Sequence, residues 1–99
     1  MKKYRIKEID GMFYPQERFV FCWDNIKLQD RATRDWFVNS LDGDPYKGMA
    51  KYLVCKDAWD VIMWIKPEFM TLESARLFIE EYKKFLEESK QKQKAKYYY

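Results

Sequence analysis

The chain contains no histidine. That removes the commonest general base, the Ser-His and Cys-His nucleophile pairs and the commonest metal ligand. Three glycines in 99 residues leave no phosphate-cradling glycine motif. The two cysteines, Cys22 and Cys55, fit no zinc spacing and are too few for a secreted disulfide scaffold, so they read as reduced, half-buried thiols. Asp42 and Asp44 open like a calcium loop, but Leu53 stands where such a loop needs a bidentate Glu, and a turn is the better reading. Asp57 and Asp60 read as turn caps rather than a catalytic pair. No catalytic residue, metal or cofactor is expected, and the chain reads as a non-enzymatic binding protein. No apolar run follows the basic N-terminal residues, and none reaches the length of a membrane span. Neither a signal peptide nor a membrane partner is expected, and the expected location is the cytoplasm.

What the chain has in quantity is aromatic rings: four Trp, eight Tyr and seven Phe. A buried ring covers about 150–250 Å², so a few of them build most of a small core. Some of the rest are expected at the surface, where Tyr and Trp are good contact residues. The net charge of +3 is unevenly spread. Lys2, Lys3, Arg5 and Lys7 crowd one end and Lys90, Lys92, Lys94 and Lys96 the other. Between them, over 8–89, eleven cations face all sixteen acids, a net charge of −5. A nucleic-acid binder more often carries its positive charge as a stripe on the folded body. Basic ends can still bind phosphate.

The spacing predicts a small α+β domain over residues 1–88. Lys3–Ile9 alternates like a strand, Asp10-Gly11 is hairpin-turn chemistry, and Met12–Trp23 reads as the return strand. Pro15 is expected at an edge or a bulge. Asp30–Leu41 reads as a short helix with Asp30 as N-cap. Lys51–Lys56 and Val61–Lys66 read as strands joined by a turn, the second ended by Pro67. Thr71 caps a long helix to Glu88, with Leu72, Ala75, Phe78, Ile79, Tyr82, Phe85 and Leu86 on one apolar stripe and a Glu80–Lys84 pair on the polar side. The expected architecture is an antiparallel sheet of about four strands with this helix across one face. Residues 89–99 read as a basic, tyrosine-ended tail.

Trp23 and Trp64 fall in strands and read as core. Trp36 and Phe37, in the weaker helix, and Trp59, in a turn, are the candidate contacts for a protein partner. The basic ends, Lys2, Lys3, Lys90, Lys92, Lys94 and Lys96, are the candidate contacts for RNA or DNA.

The segment Tyr4-Arg5-Ile6-Lys7-Glu8-Ile9-Asp10-Gly11-Met12-Phe13-Tyr14-Pro15-Gln16 resembles the opening of small proteins carried by phages and prophages. Phe69-Met70-Thr71-Leu72-Glu73-Ser74-Ala75-Arg76-Leu77-Phe78-Ile79-Glu80-Glu81-Tyr82 is similar to their C-terminal halves. Together these segments span under a third of the chain. The resemblance implies a mobile-element accessory protein in the host cytoplasm, a class that includes inhibitors of host or defence machinery, anti-CRISPR proteins among them. It carries no residue assignment. The leading expectation is an inhibitor that binds a host or defence protein, such as a nuclease or ribonucleoprotein. The alternatives are a small RNA- or DNA-binding protein and a phage structural or assembly component.

Overall fold

The computed structural model describes residues 3–44 and 46–92, with side chains as far as Ser89. Asp10 and Gly11 both take positive φ, 50° and 80°, as a two-residue type I′ turn requires. They join β1 (Tyr4–Ile9) to β2 (Met12–Phe19), paired from Ile9↔Met12 to Tyr4↔Glu17. The expected single strand Met12–Trp23 is two strands. The chain reverses at Val20-Phe21, and β3 (Cys22–Asn25) pairs back on β2 from Phe19↔Cys22 to Gln16↔Asn25. Neither turn residue carries turn chemistry, and Val20 sits at φ 52°, an outlier for a β-branched residue. The pairing of β3 with β2 imposes this turn against local preference.

β4 (Ala50–Lys56) and β5 (Met63–Phe69) form a second hairpin, and β5 joins β2 at Phe13↔Phe69. All pairings are antiparallel, in the order β1-β2-β5-β4, with β3 on β2 as a fifth strand. β5 differs from the strand expected over Val61–Lys66. It begins at Met63, leaves Val61 and Ile62 exposed in the turn, and runs through Pro67 instead of stopping there.

Hydrogen-bond parity explains both prolines. Arg18 N–H donates to Lys3 O, so even residues of β2 bond towards β1 and odd ones towards β3 and β5. Ile26 N–H donates to Pro15 O at 2.9 Å on that second side, just where β3 ends. The N–H that Pro15 lacks would point into this end of the ladder. Pro15 therefore stands in an interior strand, not at the edge or bulge expected of it, and forgoes only the one bond that would carry the β2–β3 ladder past Asn25. Leu28 and Ile65 exchange two backbone bonds, at 2.9 and 3.1 Å, which turns odd residues of β5 towards the same fork. Pro67 falls between that bridge and the Phe13↔Phe69 pair, where no ladder bond is due.

α1 (Arg31–Ser40) follows Asp30, which has the extended backbone of an N-cap. Its carboxylate accepts from the Thr33 hydroxyl at 3.3 Å rather than from an amide. α2 (Leu72–Lys92) starts where Thr71 Oγ1 accepts the Ser74 N–H at 3.2 Å. It continues beyond Glu88, so residues 89–92 of the expected tail are helical, while 93–99 lie outside the described residues. Glu80 meets Lys83, at 3.9 Å, rather than Lys84. Among the described residues no helix is long and apolar enough to cross a membrane.

Both helices lie on one face of the sheet. Phe78 and Ile79 of α2, Phe37 of α1, Ile65 and Phe69 of β5 and Ile26 and Leu28 beyond β3 are buried together with Ala75 and Tyr82. Tyr46 ties the loop after α1 to this core. Its ring lies 5.9 Å from that of Phe69, and its hydroxyl donates to Glu81 Oε2 at 2.8 Å. Burial first, then that hydrogen bond and the Glu81 charge, push the Tyr46 phenol far above its ordinary 10.0. Burial, then Glu17 and Tyr4, do the same to Tyr82. A pKa raised by folding means a stabilisation complete below the unfolded value and lost as pH rises through the folded one. On the alkaline side the melting temperature is therefore expected to fall steeply above about pH 10. Tyr46→Phe should melt lower at neutral pH, having lost the Glu81 bond, and lose less on going alkaline. An alkaline profile identical in wild type and variant would contradict the assignment.

Candidate functional site

The strand registers divide residues between two faces. Tyr4, Ile6, Phe13, Pro15, Ile65, Pro67 and Phe69 face the helices. No helix covers the opposite face among the described residues. It carries Arg5 and Lys7 from β1, Tyr14, Gln16 and Arg18 from β2, and Trp23 and Asn25 from β3. Trp64, Lys66 and Glu68 come from β5, and Lys51, Leu53 and Cys55 from β4. Lys27 joins them because its neighbours Ile26 and Leu28 are both in the core.

Three half-buried rings on this face each lie beneath a cation. Arg5 Cζ is 4.3 Å from the centre of the Trp23 ring, Lys66 Nζ 5.1 Å from that of Tyr14, and Lys27 Nζ 5.4 Å from that of Trp64. All three are within cation–π range. Arg5 is also oriented by a hydrogen-bond chain across three strands. Its Nε donates to Gln16 Oε1 at 2.7 Å, and Gln16 Nε2 donates to Asn25 Oδ1 at 2.9 Å. Gln16 is buried, so this chain also satisfies a polar group removed from water.

Six cations share the face: Arg5, Lys7, Arg18, Lys27, Lys51 and Lys66. Among the described residues Glu68 lies 3.8 Å from Lys51 Nζ and Asp24 3.2 Å from Lys27 Nζ, and the Asp10 charge also acts on this face, at Tyr14. Cations outnumber carboxylates on this face, although residues 3–89, which include all six of those cations, carry fourteen Lys and Arg against sixteen acids, a net charge of −2. Burial first, then Glu68 and Asp10, raise the Tyr14 phenol, so its ring is neutral at physiological pH. The surface thus offers flat apolar rings at three points, with cations between and above them.

The residues singled out from sequence are scattered. Phe37 is fully buried, edge-on to Phe69 and Phe78, and is core rather than contact. Trp36 is half-buried between the helices, stacked on Phe85 at 4.9 Å. Trp59 is exposed at the tip of the β4–β5 turn, which Asp57 caps by accepting the N–H groups of Val61 and Ile62. Lys3 is exposed. Lys90 and Lys92 are in the last turn of α2 with their side chains outside what is described, and Lys2, Lys94 and Lys96 lie outside the described residues. Cys22 is exposed beside the β2–β3 turn, not half-buried, and Cys55 is half-buried on the helix-free face. Trp23 and Trp64, read as core, belong instead to the helix-free face.

A second feature is apolar. β2 leaves its Phe13↔Phe69 contact in the direction from which β5 arrives, so the β2–β3 and β4–β5 turns emerge at the same end of the sheet. Val20 and Phe21 are 81% and 85% exposed in the first, Trp59 and Val61 83% and 79% exposed in the second.

Comparison with protein-family models, curated proteins and solved structures finds no match.

Proposed function

We propose that this chain binds single-stranded nucleic acid across the helix-free face of its sheet. The observation that carries the reading is the set of three rings, Trp23, Tyr14 and Trp64, interleaved with cations on one open antiparallel surface. Bases stack on such rings with little regard to sequence, and the backbone follows the positive charge between them. The contact residues of this reading are Trp23, Tyr14 and Trp64 for bases and Arg5, Lys7, Arg18, Lys27 and Lys66 for phosphates. The basic ends of the chain add to the attraction. The gathering of six cations onto one face supports it, because residues 3–89 as a whole are net acidic.

The test is fluorescence anisotropy with labelled oligouridine and oligothymidine of about 12 nucleotides, within the usual range of single-strand site sizes. Binding is expected to weaken with salt along a log–log slope of a few units, and Lys66→Gln to reduce that slope by about one. Absence of binding at low salt would sink the reading.

The exposed hairpin tips favour a second reading, a phage-borne accessory protein or inhibitor that grips a host or defence protein. Large apolar side chains that the core does not need are the usual anchors of such contacts. Partner capture lost in Trp59→Ala with oligonucleotide binding intact would support this second reading against the first.

A further inference from the structure

The two edges of the sheet, β1 and β4, differ in a way that points to a partner. On β4 the hydrogen-bond parity is fixed at both ends. Met70 N–H donates to Met49 O, and Asp57 N–H donates to Ile62 O. Odd residues of β4 therefore bond to β5, and the N–H and C=O groups of Tyr52 and Val54 face the free edge. No strand pairs with that edge among the described residues. The side chains there are apolar and exposed: Tyr52 and Val54 on the helix side, Leu53 on the other, 49% exposed. An open row of backbone donors flanked by apolar side chains is a template for another strand.

We propose that β4 pairs with β4 of a second copy, antiparallel about a two-fold axis through Leu53. Such an axis runs perpendicular to the sheet and keeps its faces, so each residue pairs with one of like parity. Tyr52 then exchanges two backbone bonds with Val54 of the other copy, using the groups that face outward. Leu53 meets Leu53, Lys51 falls opposite Cys55 and Lys56 opposite Ala50. No cation opposes a cation in this register, nor in those centred on Tyr52 or Val54.

The same operation fails on β1. Centred on Ile6 it sets Arg5 against Lys7; centred on Lys7 or on Arg5 it sets that residue against itself. Like charges directly opposite destabilise strand pairing, and charged edges are how sheets avoid it. β1 carries its cations at the centre of the edge, whereas the lysines of β4, Lys51 and Lys56, lie towards its ends and fall opposite Cys55 and Ala50. The two-fold also puts all the helices on one side and joins the two helix-free faces into one surface. A longer nucleic-acid track follows only if the proposed function holds, whereas the dimer stands without it.

The test is sedimentation equilibrium of the full chain, without nucleic acid, from about 1 µM to about 0.5 mM. The mass is expected to rise from the 12.3 kDa of one chain towards twice that value. Leu53→Lys brings two ammonium groups together on the axis and should weaken association about tenfold or more. Val54→Pro removes an outward N–H that β5 does not use, and should weaken it likewise. Far-UV circular dichroism at low concentration checks that both variants fold. With Cys22 and Cys55 changed to Ser, Leu53→Cys should form a covalent dimer with oxidised glutathione, because residues facing across a non-hydrogen-bonded pair lie about 4.5 Å apart at Cα. A chain that stays at the mass of one copy throughout overturns the proposal. So does a dimer that resists Leu53→Lys and Val54→Pro and yields no crosslink.

Discussion

Phe78→Ala is expected to remove most of the protein's folding stability. Phe78 has no exposed surface and sits at the centre of an aromatic cluster. It meets Phe37 edge-on at 5.3 Å, Phe69 at 5.2 Å, Trp36 at 5.9 Å and Tyr82 in a stack at 5.6 Å. These neighbours come from both helices and from β5, so the ring is where the two layers of the fold join. Removing a buried Phe costs about 3–5 kcal/mol, from lost transfer free energy and the cavity left behind. Native domains have only about 5–15 kcal/mol in total, and small ones lie towards the lower end. A loss of even 3 kcal/mol lowers the melting temperature of a chain this size by about 12 °C or more. Thermal and urea melts followed by circular dichroism check this. A variant that melts within a few degrees of wild type would mean the layers are held together elsewhere.

Trp64→Ala and Trp23→Ala are expected to lose binding and keep the fold, the reverse of Phe78→Ala. Each ring is half-buried on the helix-free face, with a cation above it and no helix over it. Base stacking on such a ring is worth about 1–3 kcal/mol by alanine substitution, some five- to 150-fold in affinity. Anisotropy with the oligonucleotides already named measures the loss for each variant and for the pair. The rings lie on one surface and contact one strand in this reading, so the double variant should lose more than either single one. The melts should remain cooperative, since neither ring belongs to the buried cluster. Affinities equal to wild type in both variants would remove the stacking surface, whatever the salt dependence.

How much of this was legible beforehand varies by element. Thr71 and the stripe from Ala75 to Tyr82 identify α2 and its buried face, because capping and a 3.6-residue period are local properties of the chain. Asp10-Gly11 identifies the first hairpin for the same reason, since its positive φ angles suit these two residues. The Val20-Phe21 turn has no such signal, and β3 is defined only by its pairing with β2. Pro15 and Pro67 mislead in the same way. Proline forbids a bond only in the direction its N–H would point, and that direction depends on which strands lie on each side.

The candidate site shows the same division. Arg5 alternates with Lys7 in β1, Tyr14 with Gln16 and Arg18 in β2, and Trp64 with Lys66 and Glu68 in β5. A period-two reading of each strand finds these sets singly, yet nothing in it says that they share a surface. Charge totals along the chain conceal it further, since acids of the turns and of α2 outweigh the cations of the sheet. By itself the sequence determined the class of fold, the long helix with its buried stripe, the first turn and the want of histidine chemistry, all of them properties of composition or of neighbours within a few residues. Only the tertiary structure decided which rings are core and which are surface, where the proline-bearing strands run and which strands form the edges of the sheet. Those depend on pairing between strands as far apart in the chain as Phe13 and Phe69, and a periodicity cannot report on a partner that distant.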